Sequence, residues 1–559
     1  MKKRCFLICM MVAALLSMLF VFPQKAEAAS GFVSHTINWY FNSSTGTLAF
    51  KGSGRVVDVP KESNRTWKDI MPKVKTIEIS EGITYIGCFA FYGGENVTSV
   101  KLPSSLTYIA DHAFEGCGKL ESIVFPDGIT GLGNHAFYGC TNLKTIDFPN
   151  TLSQIGEYAF ANCDELNSLE IPDTVLTIGK GAFQNCKSLT SISFYEAGMT
   201  DELAQQIQWR KIEDEAFAEC QKLTNIQLSP WINYIGNDAF RRCVILRDIV
   251  VPEGVTYLGA CFTDCWMLNE VTLPDSLQTL FGTFRNCPAL EHIDLPQNLE
   301  YIEEAFHGSE NLTKIVLPDS LKTVGSSTFE GCKGLAEVVL PSKLERIGYR
   351  TFYGCSSLQY ITLPETILQI DNEAFSCSGL LELTIPSSLR TLGKTRHPYG
   401  VINPGVFSGC EKLQAVFFLG GVPSFEKDAF RNNGKKLIVY YPAGDKSWEQ
   451  AIEDQMWPYP SYITDAYCVP RCYNGHTFGE WEELEAPTEQ SEGVAQRICT
   501  GCKLKEKKPI DKLQLQPNEP VGGVQPDGVT TGLIIGICVV TVLLVGGIVV
   551  VFALKRKKK

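Results

Sequence analysis

Apolar and polar positions recur in one fixed order along most of this chain, and a single phenylalanine marks each recurrence. It stands at Phe91, Phe114, Phe137, Phe160, Phe183, Phe217, Phe240, Phe262, Phe284, Phe306, Phe329, Phe352, Phe375, Phe407 and Phe430. The intervals are 23 residues four times, then 34, 23, 22, 22, 22, 23, 23, 23, 32 and 23. Self-similarity at such a period marks a solenoid, each coil a small unit stacked on the next. One typical unit reads Leu143-Lys-Thr-Ile146-Asp-Phe148-Pro149, then Leu152-x-x-Ile155-Gly156, then Ala159-Phe160-x-x-Cys163. Ile146 and Phe148 alternate with polar neighbours, which predicts a short strand with one buried face. Pro149 ends that strand because it brings no N–H to a ladder. Gly156 is expected at a turn that a side chain would strain. Ala159 and Phe160 turn inward again and the next coil begins. No coil buries its apolar side alone, so neighbours must stack into a continuous core. The expected fold class is a repeat solenoid, mainly β with short turns, of about fifteen coils of ~23 residues. Strands about 4.8 Å apart give such an array a length on the order of 70 Å.

Leu358-x-x-Ile361-x-Leu363-Pro364 and Leu344-x-x-Ile347-Gly348-x-x-Thr351-Phe352-x-x-Cys355 resemble the units of the BspA-like, or Treponema pallidum type, leucine-rich repeat family. The resemblance covers about residues 73–442. It implies a bacterial surface protein that binds host matrix proteins or other cells. Residues 29–72, with Trp39-Tyr-Phe41, Gly46-Thr-Leu48 and Gly52-Ser-Gly54, resemble the lead-in of such proteins and read as a β cap over the first open edge. Two intervals are longer than the period. They hold insertions at 195–210, with a helix-like stretch around 201–208, and at 394–404, rich in Pro, Gly and aromatic character. Insertions in a solenoid emerge as loops, either functional or merely tolerated.

Of the 21 cysteines, fourteen lie in the repeats. Eleven of these stand three residues after the marker Phe, from Cys117 to Cys410. Equivalent positions in adjacent coils have parallel side chains, so packing is expected there rather than disulfides. Residues 443–467 read as a C-terminal cap or linker. The period is lost in 468–509, where Cys472, His476, Cys499 and Cys502 include a Cys-x-x-Cys and a Cys-x3-His. That set suits a structural tetrahedral zinc. Two disulfides stapling a small domain are the alternative. His476-Thr-Phe-Gly-Glu-Trp481 and Arg497-Ile-Cys499-Thr-Gly-Cys502 resemble a Cys/His module appended to surface repeat proteins. In that module a Cys commonly follows the Pro-Thr pair, and Glu489 stands there instead.

Both ends carry sorting signals. Residues 1–28 read as a secretory signal, with a basic start at Lys2, Lys3 and Arg4 and a cleavage site at Ala26-Glu27-Ala28. Residues 532–554 read as a transmembrane helix, preceded by a stalk at 510–531 and followed by a basic tail at 555–559. The expected localisation is a single-pass protein of a bacterial cell membrane, with residues 29–531 outside. The formal charge of the whole chain is −12, and without both ends it is −20. An acidic surface repels phosphate backbones, which counts against nucleic acid as a partner.

No metalloprotease, phosphate-loop, nucleophile-elbow or calcium-loop motif is present, and no cofactor is expected beyond a structural zinc. His112 and His135 share one repeat position and read as products of the period. A solenoid usually binds through the outward side of its stacked strands. Alternation places His292, Lys314, Val316, Glu337, Val339, Tyr360, Thr362 and Thr384 there, with an apolar middle at Val316, Val339 and Tyr360. The expected partner is an extracellular protein or glycan, and the expected function is adhesion. A structural or glycan-binding envelope protein is the alternative. Abundant exposed aromatics on one face would favour that alternative, and the strand columns show few.

Overall fold

The computed structural model describes residues 28–61, 64–197, 210–393, 405–425, 429–433, 437–454, 467–471, 479–486, 493–500 and 505–510. They belong to two compact units, one of residues 1–479 with 499–504, the other of residues 480–498 with 505–559.

The first unit starts with β1 (Ala28–Phe32), β2 (Ile37–Asn42) and β3 (Thr47–Gly52), paired antiparallel in that order. β4 (Gly54–Arg55) follows, then a 3₁₀ turn at Lys68–Lys73 and β5 (Thr76–Ile79), which pairs parallel with β3. From β5 onward each coil contributes to two columns of short parallel strands. The first column continues from β5 through Ser99–Lys101, Ser122–Val124 and Thr145–Asp147 to Ile438–Pro442 and Tyr467–Arg471. The second runs from β4 through β6 (Ile83–Ile86), Tyr108–Ile109 and Gly131–Leu132 to Ser424–Phe425. Strands are this short because Pro ends the first column's strands and the Phe turn follows the second's. Their alternation holds: Ile123 and Ile146 are buried between exposed neighbours.

Between the columns all fifteen marker phenylalanines are buried. Their rings stack in one file from Phe91 to Phe430, with centroids 5.1 to 5.8 Å apart. The backbone of this turn is tied from coil to coil. The N–H of Phe114 donates to the carbonyl of Ala136 at 2.7 Å, and that of Phe137 to Ala159 at 2.7 Å. Residues two before and two after the ring do the same, as His112 N–H to Asn134 O (2.9 Å) and Gly116 N–H to Tyr138 O (2.8 Å) show. Both flanking positions have positive φ, in His112 (57°) and Asn162 (60°) as well as in glycines. A left-handed side-chain residue costs roughly 1–2 kcal/mol, and the inter-coil hydrogen bonds hold it there.

Gly156 corrects the sequence expectation. It is absent from the positive-φ positions; a Cβ there would lie 2.5 Å from the carbonyl carbon of Gly133, and one on Gly179 would lie 2.7 Å from that of Gly156. Close approach of successive backbones, not turn strain, demands this glycine.

The ends are closed by side chains that imitate a missing coil. In the first coil the carbonyls of Ala90 and Tyr92 have no preceding turn to serve. Arg65 reaches Tyr92 O at 2.7 Å, and Trp67 Nε1–H reaches Ala90 O at 2.8 Å. Phe50 ends the ring file edge-on, 5.3 Å from Phe91. At the other end lies α1 (Lys446–Glu453), its first turn capped by Asp445, which accepts from Ser447 N–H at 2.9 Å. Trp448 is fully buried, donates to Gly420 O at 2.9 Å and packs on Phe418 and Tyr441.

The second unit contains an antiparallel sheet of Glu482–Glu485, Gly493–Ile498 and Lys505–Ile510, with Arg497 over the Trp481 ring. Most of the insertions at 195–210 and 394–404, and all of the stalk beyond Ile510, lie outside the described residues. The single-pass localisation is withdrawn. Among the described residues no helix is long and apolar enough to cross a membrane. The α-helix described has eight residues, about 12 Å of rise against a hydrocarbon core of about 30 Å. The stretch 532–554 that carried the expectation lies outside the described residues.

Phe240→Ala is expected to cost about 3–5 kcal/mol, and Trp67→Phe, which removes one buried donor, about 1–3 kcal/mol. Urea unfolding followed by far-UV circular dichroism measures both. A Phe240→Ala midpoint equal to wild type would remove the ring file from its place at the centre of the fold.

Candidate functional site

The first column is not one sheet. Its rings set a pitch of 5.1 to 5.8 Å, wider than the roughly 4.8 Å of paired strands. The column falls into short groups, such as Asp248–Val250 with Glu270–Thr272 and Lys314–Val316 with Glu337–Val339. Residues 292–294 and 360–362 hold strand positions without joining a ladder. The second column keeps longer runs and breaks after Tyr234–Ile235 and before Thr323–Val324. Those breaks bound the strands Tyr257–Gly259, Thr279–Phe281 and Tyr301–Glu303 of the three 22-residue coils. Each such coil has lost one residue ahead of its Phe, and the register shifts with it.

The residues read from sequence as a binding face occupy this broken column. Lys314 and Glu337 face each other across the central pair at 2.7 Å, each about half exposed. Val316 and Val339 are opposed in register and are 49% and 44% exposed. On one side of the pair, His292 lines a concavity of about 420 Å³ with Glu270, Thr272, Glu291 and Asp294. On the other, Tyr360, Thr362 and Thr384 line one of about 300 Å³ with Glu365 and Glu382. A third, with Asp147, Asn150 and Tyr195, opens at another ladder gap, where Tyr195 donates to Phe148 O at 3.0 Å. All three are open and polar. The face is therefore a low apolar ridge between two polar hollows.

Sequence reasoning overlooked the second column. Its outward position is Tyr in Tyr85, Tyr234 and Tyr257, before an Ile-Gly or Leu-Gly step, in Tyr108, before Ile109-Ala110, and in Tyr301, before Ile302-Glu303. Tyr85 and Tyr108 stack at 5.7 Å under Arg55. The outward signal was present in the repeat and was hidden by reading only the proline-ended strand.

The cysteine ladder is a hydrogen-bond ladder. Each of the eleven thiols donates to the carbonyl of the preceding marker Phe, as Cys117 does to Phe91 (3.5 Å) and Cys332 to Phe306 (3.0 Å). Ser309 does it with a hydroxyl, 2.8 Å from Phe284 O. The described cysteines are free thiols. Burial pushes Cys117 up to about 12 and Cys410 up to about 11, which suppresses the thiolate. Period also brings together Phe89, His112, His135 and Tyr158 in a surface stack, with the two imidazoles 4.8 Å apart. His112 bonds Glu115, and burial together with the His112 ring pushes His135 below its usual range.

Of the zinc candidates, Cys472, His476 and Cys502 lie outside the described residues, and Cys499 is buried. Among the described residues no three ligand-type side chains converge on a metal position. Cys468 stands in register with Val439 on the solenoid sheet.

Two columns of short parallel strands, stacked coil on coil around a file of conserved-pitch rings, define a leucine-rich-repeat solenoid. The chain belongs to the BspA-type leucine-rich repeat family: the family model described as BspA type Leucine rich repeat region (6 copies) matches residues 64–190, 189–305 and 303–435. No curated protein matches the sequence. Among solved structures, the chain is similar to a leucine-rich repeat protein from Bacteroides ovatus, at 24% identity over 78% of this chain and 99% of that one, with a TM-score of 0.51. It is also similar to the leucine-rich repeat protein of T. pallidum (25% identity, 38% and 89% covered, TM-score 0.29). A third likeness is to the pneumococcal vaccine antigen PcpA (18%, 80% and 99%, TM-score 0.41).

Two measurements check these chemical assignments. Maleimide labelling of the native chain at pH 8 should modify the exposed Cys377 and spare the ladder thiols, which should react only after unfolding. Native labelling of Cys163 or Cys243 would contradict their placement. The lowered pKa of His135 means that the folded chain binds fewer protons there than the unfolded chain. Its contribution is present above pH 6.5 and is lost as pH falls through 6.5 toward the folded value. Asp111, Glu115 and Glu157 oppose the loss by attracting the proton. The urea midpoint should therefore fall between pH 7.5 and 5.5, and less so in His135→Phe.

Proposed function

We propose that this chain is a cell-surface binding protein of the adhesion kind, which meets an extracellular protein or glycan through its first strand column and performs no catalysis. The observation that supports this most is the half-exposed pair Val316 and Val339, held in register between two polar hollows. Apolar side chains on a rigid sheet are pre-organised and lose little entropy on contact, while the hollows supply polar partners that orient it. The exposed Lys314–Glu337 pair contributes little to stability, so its side chains are free to exchange partners.

Binding of the purified chain to an array of matrix proteins and glycans tests the reading, beside a variant carrying Val316→Glu, Val339→Glu and Tyr360→Glu. These positions are outward, so the variant should melt with wild type. Saturable binding to an array member, weakened at least tenfold in the variant, is the expected result. Binding that survives the three charges would place the contact elsewhere, and no binding at all would turn the reading toward a structural envelope role.

A further inference from the structure

The charge of the chain is not spread evenly. Residues 76–442 carry 26 Lys and Arg against 43 Asp and Glu, a formal −17. The cap, residues 29–75, carries seven Lys and Arg against three Asp and Glu, a formal +4. The coils also neutralise many of their lysines with carboxylates one coil away, as in Lys101–Glu78, Lys144–Glu121, Lys187–Asp164 and Lys333–Glu310. In the cap, Lys51, Arg55, Lys61, Lys68, Lys73 and Lys75 are all exposed. Among the described residues none of these six makes an ion pair within 4.0 Å. Arg55 lies over the Tyr85 ring at 3.6 Å, and the donors that seal the first coil are Arg65 and Trp67, outside this set of six. The same end presents aromatic surface. Phe32 (74% exposed), Asn38 and Lys51 form one row across β1, β2 and β3, and Tyr40 lies beside it with the Lys51 ammonium 5.7 Å from its ring.

We infer that the cap is a second binding surface, separate from the strand face, and that its partner is an anionic polysaccharide bearing sulfate or carboxylate groups. Unpaired cations draw the polymer by long-range attraction, which the acidic coils make directional toward this end. Apolar C–H faces of sugar rings cover Phe32 and Tyr40, while the anionic substituents reach the lysines. The inference does not rest on the strand-face reading.

Dextran sulfate is the probe, measured by titration calorimetry with the whole chain at 50 and 300 mM NaCl. Unsulfated dextran and a single-stranded oligonucleotide serve as the comparison polymers. The cap variant is Lys51→Glu with Lys68→Glu, Lys73→Glu and Lys75→Glu. The control makes the same charge change in exposed coil lysines, Lys222→Glu with Lys322→Glu, Lys343→Glu and Lys412→Glu. A milder cap set with Gln at the same four positions, and thermal melts of each, separate lost binding from lost folding. Expected are saturable binding that weakens at least tenfold between the two salts, at least tenfold loss in the Glu cap set, an intermediate loss in the Gln set, and less than threefold loss in the control. Phe32→Ser with Tyr40→Ser should weaken dextran sulfate severalfold. Equal loss in cap and control sets, or no binding at 50 mM NaCl, overturns the inference. An oligonucleotide that binds as tightly as dextran sulfate overturns the polysaccharide as partner.

Discussion

The hydrogen bond from each marker phenylalanine's N–H to the carbonyl just before the next marker ring is the constraint around which the solenoid is built. It runs through the buried interior, where an unmet amide or carbonyl costs about 1–3 kcal/mol, so it must be satisfied in every coil. The rest of the repeat is arranged to permit it. A small residue precedes the ring in Ala113, Ala136, Thr283, Thr328 and Cys261, because the next backbone passes there. Two left-handed residues flank the ring so that three N–H groups point the same way along the axis. Glycine follows the second strand because successive backbones nearly touch.

A polar ladder with a direction has two unequal ends, and the two caps answer different needs. The first coil presents bare carbonyls, so its cap must donate; Arg65 and Trp67 do so from within an otherwise apolar plug with Met71. The far end presents bare N–H groups and needs acceptors. Asn433, at the place of the ladder cysteine in the last coil, accepts instead from the preceding coil, from a Cys410 N–H that also reaches Phe407 O, at 3.0 and 3.2 Å. The cysteines follow the same logic. The marker Phe carbonyl already accepts from within its own coil, as from Cys140 N–H to Phe137 O, and the next coil's thiol offers it a second, weak donor. A hydroxyl does this in Ser309, and the thiol adds apolar volume that a hydroxyl lacks.

How much of this was legible from residues alone follows from what repeats. Inward positions return every 23 residues, so the strands, the ring file, the packed thiols and the family could all be read before any coordinates. The reason for Gly156 could not be read, because contact between backbones leaves no trace in one coil's sequence. The ladder gaps at 292–294 and 360–362 were equally hidden: these residues keep the alternation of the repeat, with Ile293 and Ile361 buried, and still do not pair. Alternation put His292, Lys314, Val316 and Tyr360 outward on the first column, yet the relief there, a ridge with a hollow on each side, came only with the gaps. The basic cap escaped notice because a net charge averages a +4 end into an acidic whole.

The ladder gaps leave room for variation on a fold so tightly specified inside. Rings, thiols and glycines repeat in nearly every coil, while the pairing of the first column is interrupted several times. Pairing that yields opens hollows without touching the core, since the buried Ile293 and Ile361 stay in place while their flanking residues leave the ladder. Outward side chains at such a gap are bound neither by the core nor by a partner strand. They can change in size and charge at little cost to stability. Lys314, Val316, Glu337 and Val339 illustrate the opposite case, outward residues whose strands remain paired and therefore rigid. A rigid pair flanked by two permissive gaps gives this stretch of the column a fixed centre and adjustable margins, with the buried rings continuous beneath both.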